Sequence, residues 1–149
     1  MEIRRADQSD VETIAALVLA LLDELSGPEP GGYAAEDLAE LATTLMRSGD
    51  LAVLLAEQGG EPIGLLVLNG CTSLYAGHFG EITELYVKPS FRSSGVGEAL
   101  LEAACEFARD KSWSRLEVGT SEQPAWVRTL AFYKRNRFVE TGVRLEMPV

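Results

Sequence analysis

Apolar residues recur along the chain with two different periods. Val11, Ile14, Val18, Leu21, Leu22 and Leu25 follow one another at three- and four-residue spacing, the stripe of a helix that buries one face. Ser9-Asp10-Val11-Glu12 fits a capping box, which predicts that this helix starts at Ser9. Leu38, Leu41, Ala42 and Leu45 mark a second helix over roughly Glu36 to Met46, after a Gly27-Pro28-Glu29-Pro30-Gly31-Gly32 loop. Ile3 to Ala6 is a short strand candidate ahead of both. From Leu51 the pattern turns strand-like. Leu51 to Glu57 and Pro62 to Asn69, joined at Gly59-Gly60, predict a β-hairpin. Gly70 to Gly80 is a connection whose shape the pattern does not specify. Glu81 to Val87 is a third strand, ended by Pro89. A helix from about Gly95 to Lys111 follows, then a strand at Arg115 to Gly119, a helix near Ala125 to Asn136, and strand-like residues from Phe138 onward.

The order β-α-α-β-β-β-α-β-α-β carries no internal repeat and no linker-like segment. It predicts one α/β or α+β domain over residues 1–149 with a partly parallel sheet. Hydrophobic residues make up 46% and charged residues 24% of the 149, as in a soluble chain with one core. The longest apolar run, Ile14 to Leu22, is about half the ~20 residues that span a bilayer, and the charged residues around the first helix do not fit a signal peptide. Cys71 and Cys105 match no metal or redox spacing, so no metal site is expected. The expectation is a cytoplasmic protein.

Charge adds an asymmetry. Thirteen basic and 23 acidic side chains give a net charge of −10. Residues 1–75 hold only Arg4, Arg5 and Arg47 against 13 acidic groups, whereas residues 76–149 hold ten of each sign. So acidic a chain is a poor partner for nucleic acid, whose phosphates demand a positive surface, and anionic membrane surfaces repel it.

The chemistry concentrates in Val87-Lys88-Pro89-Ser90-Phe91-Arg92-Ser93-Ser94-Gly95-Val96-Gly97, between a strand and a helix. Glycines at the mouth of a helix let the backbone approach a ligand closely. The first helical N–H groups and the macrodipole favour an anion there, and Arg92 adds a full charge. This is the chemistry of a pyrophosphate cradle. Glu98-Ala99-Leu100 after the second glycine rules out a P-loop, and a third glycine near position 100, needed for a dinucleotide fingerprint, is missing.

Arg-x-x-Gly-x-Gly preceded by Leu85-Tyr86-Val87-x-Pro89 resembles the acetyl-CoA-binding motif of the GNAT family of N-acetyltransferases. The resemblance covers nearly the whole chain. It implies a mixed central sheet of about six to seven strands flanked by about four helices. It further implies that Arg92, Ser93, Ser94, Gly95, Val96 and Gly97 hold the CoA pyrophosphate, and that the pantetheine arm pairs with the backbone of Leu85, Tyr86 and Val87. A strand bulge would turn the Val87 N–H toward the thioester oxygen, a donor of oxyanion-hole type. Leu130-Ala131-Phe132-Tyr133-Lys134-Arg135-Asn136-Arg137-Phe138 is similar to the family's final helix. Tyr133 there matches a cofactor-contacting tyrosine that often protonates the departing thiolate. Arg137 stands where the family usually has glycine, and Trp126 where many members have asparagine. In the same fold Leu74 to Phe79, with His78 among them, would lie beside the acceptor.

An alkyl ammonium of ordinary pKa about 10.4 must lose a proton before it can attack. Glu81 and Glu84 are the carboxylates nearest the motif. Three residues apart on a regular strand, they face opposite sides of the sheet, so one at most is expected in the cleft. Family members acting on histones carry their base at the place matching Glu81, and many small-molecule members carry an acid matching Glu84. Glu81 is the preferred base of the two, and two ordinary strand-face charges are the bland alternative. A carboxylate of ordinary pKa about 4.3 needs burial or a relaying water for this task.

The acceptor side of such a fold comes largely from the acidic first half. A negative cleft concentrates cations, which points to a cationic primary amine such as a polyamine, an aminoglycoside-like compound or a lysine-bearing peptide. The reaction expected is direct acetyl transfer from acetyl-CoA, with no covalent enzyme intermediate, since neither cysteine lies where the motif would place a nucleophile. Two rival readings remain at this level: a non-catalytic acyl-CoA-binding sensor of the same fold, and a generic interaction module with a chance glycine turn. Many relatives pair as homodimers, and no residue pattern here establishes one.

Overall fold

Leu51–Gln58 (β2) and Glu61–Ser73 (β3) carry near-continuous apolar runs, because helices cover both faces of the sheet they build. The computed structural model describes residues 1–26, 32–120 and 126–149. They pack as two compact units, Met1–Glu117 and Val118–Val149. Glu2–Arg5 (β1), β2, β3, Gly77–Val87 (β4) and Leu116–Val118 (β5) form one sheet in the order β1-β2-β3-β4-β5. The first three neighbouring pairs are antiparallel. β5 joins after the crossover helix Val96–Asp110 (α3).

Val11–Ser26 (α1) and Ala35–Ser48 (α2) lie on one face of the sheet. There Val11, Ile14, Leu17 and Ala42 pack with Val53, Leu55, Leu65, Val67 and Tyr86. α3 packs on β2, β3 and β4 with Leu100, Leu101, Ala104 and Ala108 buried, and Leu54, Leu66, Leu68 and Ile82 supply the alternate, opposite side of the strands. Val127–Arg135 (α4) belongs to the second unit.

The structure corrects four details of the sequence reading. The N-cap is Asp7, with a 3-10 turn at Gln8–Asp10 before α1. Its carboxylate accepts the Ser9 N–H at 2.8 Å and hydroxyl at 2.6 Å, while Asp10 accepts the Asp7 N–H at 2.8 Å. A full negative charge is a stronger acceptor there than the Ser9 hydroxyl. Arg4 holds Asp10 with two bonds of 2.9 and 2.8 Å and also reaches Glu57 at 2.7 Å. Second, the unspecified segment 70–80 extends β3 and β4 into a long hairpin whose turn exposes Leu74 and Tyr75. Third, the described sheet has five strands, fewer than the expected six to seven. Residues 139–149 are exposed and form no strand, since β-propensity without a partner does not build one. The fourth correction, the place of the bulge in β4, shapes the candidate site.

Candidate active site

β4 pairs with β3 in regular antiparallel register at both ends, but the register shifts between Val67 and Leu68. Val67 stands opposite Glu84 and Leu68 opposite Ile82, so Thr83 is one residue too many. An extra residue reverses the alternation of side chains. Glu81, opposite Asn69, and Glu84, opposite Val67, therefore share a face, although they are three apart in sequence. Val67 belongs to the core packed beneath α1 and α2, so both glutamates lie on that side of the sheet. Both are half-buried, and Glu84 accepts a hydrogen bond from the Thr83 hydroxyl. The expectation that only one could face the cleft fails because β4 is not a regular strand.

The backbone of the same strand divides its hydrogen bonds between two sides. Lys88 N–H donates to Ile63 O at 2.9 Å, which makes Lys88–Ile63 and Tyr86–Leu65 the hydrogen-bonded pairs of the ladder. Leu85 and Val87, in the intervening pairs, turn their N–H and C=O groups away from β3. β5 meets β4 further back, where Ser114 N–H donates to His78 O at 2.9 Å and Gly80 N–H to Arg115 O at 3.0 Å. The Val87 N–H thus faces outward through ordinary alternation. The bulge expected to turn it lies four residues earlier. Tyr86 is tied to β3 by its backbone, and its buried ring turns toward α1. There it lines a hollow of about 210 Å3 with Ala16, Leu17, Ala20, Pro62 and Lys88.

Beyond Val87 the chain makes a 3-10 turn, Pro89–Phe91, started by the fixed φ of Pro89. Ser93 (φ 59°) and Gly95 (φ 87°) are both left-handed. Space is open where a Gly95 Cβ would stand. The first ladder bond of α3 runs from Ala99 N–H to Gly95 O at 3.0 Å, so the amides of Val96 and Gly97 have no acceptor within the helix. Ser94 Oγ donates to Phe91 O and braces the turn. A loop with two left-handed residues, a bare Cα and a helix start fits a diphosphate, and the outward edge at Leu85 and Val87 fits the amide-bearing arm that follows one in CoA.

Arg92 is engaged by the protein itself. Its Nε donates to Val87 O at 2.8 Å, and Nη1 and Nη2 donate to the two oxygens of Glu24 at 2.9 and 2.5 Å. Its guanidinium also lies over the Tyr86 ring, 5.5 Å from the centroid. The Arg92 hydrogen bonds hold the Glu24 carboxyl below its ordinary range. The charge expected beside the loop is thus balanced by a residue 68 positions away that the sequence did not single out.

Tyr133 lies in α4 of the second unit, 5% exposed, with edge-to-face contacts to Phe132 and Phe138 at 5.3 Å each. Burial pushes its hydroxyl up to about 12. In the same unit Lys134 pairs with Glu140 at 3.2 Å, and Arg135 stacks on Phe132 at 5.7 Å. In the first unit His78 is exposed, and Arg115 caps the rings of Tyr75 and Phe79 at 5.1 and 5.8 Å. No group of three His, Cys, Asp or Glu side chains able to hold a metal occurs among the described residues, and no helix among them is long and apolar enough to cross a membrane.

A mixed sheet under two N-terminal helices, with an open strand edge running into a glycine-bearing helix start, is the scaffold of an acyltransferase. The chain belongs to the acetyltransferase (GNAT) family, whose profile matches residues 18–138. It is 32% identical over 130 residues to an uncharacterized N-acetyltransferase of Archaeoglobus fulgidus, covering 84% of this chain and 86% of that one. It is 28% identical over 157 residues to the glucosamine 6-phosphate N-acetyltransferase of Trypanosoma brucei brucei, covering 99% and 96%. Its fold matches a predicted acetyltransferase of Clostridium acetobutylicum solved with acetyl-CoA, with a TM-score of 0.77, 21% identity and coverage of 99% and 95%. The protein is therefore an enzyme of the N-acetyltransferase class.

Proposed function

We propose that the protein transfers an acetyl group directly from acetyl-CoA to a primary amine carried by a cationic acceptor. The observation that carries this reading is the geometry of β4. One bulge gathers Glu81 and Glu84 on the α1 and α2 side, while Leu85 and Val87 offer outward backbone groups just before the loop into α3. Acetyl-CoA supplies the activated thioester. Ser93 to Gly97 hold its diphosphate by backbone N–H groups, Leu85 pairs with the pantetheine amides, and the Val87 N–H, whose own C=O is held by Arg92, polarises the thioester carbonyl. Holding both reactants in one cleft gives the proximity gain that direct attack requires.

Two carboxylates on one face draw an ammonium group in and take its proton, directly or through a water. Tyr133 serves the leaving sulfur as a hydrogen-bond donor. Handing over its proton outright from a hydroxyl near 12 to a thiolate of ordinary pKa about 8.5 is uphill by roughly 5 kcal/mol. A bond that strengthens as charge develops on sulfur lowers the barrier without that transfer. The acidic first half, with exposed Glu36, Asp37 and Glu40 on α2, supports a cationic acceptor.

Thiol release from acetyl-CoA, measured with spermidine, a lysine-bearing peptide, glucosamine 6-phosphate and an uncharged-tail amine, tests the reading. Release fastest with the polycations is expected, falling at least tenfold in Glu81→Gln or Glu84→Gln. Glucosamine 6-phosphate as the best acceptor overturns the charge argument. CoA binding without release for any of these amines overturns the proposed acceptor class.

A further inference from the structure

We infer that Glu24 is a positioning residue for acyl-CoA binding, acting through Arg92 on the loop that leads into α3. The inference rests on the acetyl-CoA reading above and adds a residue to it. Glu24 sits in the last turn of α1, where the helix macrodipole disfavours a negative charge and where α1 has no basic residue of its own. Such a carboxylate calls for a cation from elsewhere, and Arg92 supplies it in fork-to-fork geometry with both oxygens engaged. The same guanidinium holds Val87 O through Nε and lies over Tyr86. One side chain therefore ties together the end of α1, the end of β4 and the first residue of the Arg92–Gly95 turn. Within that turn the Arg92 N–H returns to Pro89 O at 3.3 Å, and Ser94 Oγ donates to Phe91 O. The turn is closed locally, and among the described residues Arg92 anchors it outward, immediately before the left-handed Ser93.

The rival reading makes Arg92 a phosphate ligand that Glu24 restrains, and the two readings predict opposite signs. Titration calorimetry of CoA into the full chain is run on wild type, Glu24→Ala, Arg92→Ala and the double variant. Position 24 is half-exposed on a helix, where alanine is well tolerated; melting curves check that each variant folds. Glu24→Ala is expected to weaken CoA binding about two- to fivefold, the range for a partly exposed ion pair. Arg92→Ala weakens it at least as much, and Glu24→Ala adds nothing further when Arg92 is already replaced. KM for acetyl-CoA rises while kcat at saturation stays within about twofold. Without CoA, amide exchange at residues 93–97 speeds up in Glu24→Ala. Tighter CoA binding by Glu24→Ala overturns the inference, as do additive losses. Wild type that folds but fails to bind CoA overturns the acetyl-CoA reading itself and this role with it.

Discussion

Arg137 occupies a backbone conformation, φ 73°, that costs an L side chain about 1 kcal/mol or more and costs glycine nothing. It follows α4 as the left-handed residue of a Schellman cap: Phe138 N–H returns to Tyr133 O at 3.0 Å and Arg137 N–H to Lys134 O at 3.2 Å. This is the position where the family usually has glycine, so the sequence departure leaves the cap in place at the expense of strain. Arg137→Gly is expected to raise stability by about 1 kcal/mol, read as a melting temperature higher by roughly 2–4 °C. Tyr133 makes a pH prediction with a definite sign. A hydroxyl titrating near 12 stays protonated throughout the working range, so its ionisation adds no alkaline limb below about pH 11. Tyr133→Phe should lower kcat about ten- to a hundredfold while leaving the shape of the pH profile from 6 to 10 unchanged. An alkaline limb that disappears in Tyr133→Phe contradicts this assignment.

Among the elements, β4 is set by what packs on it. Gly80 lies against the indole of Trp113, itself edge-on to Phe107 at 5.5 Å; a Cβ at position 80 overlaps the ring and stands 2.9 Å from Leu116 Cδ2. Gly80→Ala is expected to destabilise by about 1–3 kcal/mol, and Trp113→Leu, which vacates the space, should remove most of the added penalty in a double-mutant cycle. At the start of α1, the Arg4 hydrogen bonds hold the Asp10 carboxyl below its ordinary 3.8. A depressed folded-state pKa gives stability that is complete above the unfolded value and lost as pH falls through the folded one. Asp10→Asn should therefore cost about 1–2 kcal/mol at pH 7 and progressively less below pH ~4, as urea midpoints across pH would show. Element existence was legible from periodicity because each helix and most strands carry their own apolar stripe. The cap was misread because Ser9 and Asp7 both suit a helix start, and only Arg4 and Glu57, brought in by β1 and β2, favour the Asp7–Asp10 pair. The position of the bulge was not legible: the family resemblance implies one near Val87, but Thr83 is an ordinary strand residue, and the shift is a property of two strands together.

At the scale of the whole molecule, charge and chemistry occupy different stretches of sequence. The loop from Pro89 to Gly97 could be read locally, because proline and glycines mark a turn into a helix there. Glu24 could not, since nothing in its neighbourhood in sequence announces a partner in the loop before α3. The net −10 of the first 75 residues predicts a measurable rate effect. With a polycationic acceptor, kcat/KM should fall several-fold between low salt and 0.3 M, while with an uncharged-tail amine it stays nearly flat. Equal salt slopes for the two acceptors would remove the steering argument. The extra residue at Thr83 also matters to anyone redesigning acceptor preference. Mutant libraries are commonly laid out by varying every second position of a strand. On β4 such a scheme stays in phase with the α1 and α2 side at Gly77, Phe79 and Glu81, and must then skip two residues to continue at Glu84 and Tyr86. A design that ignores the skip would diversify one side of the sheet before Thr83 and the opposite side after it.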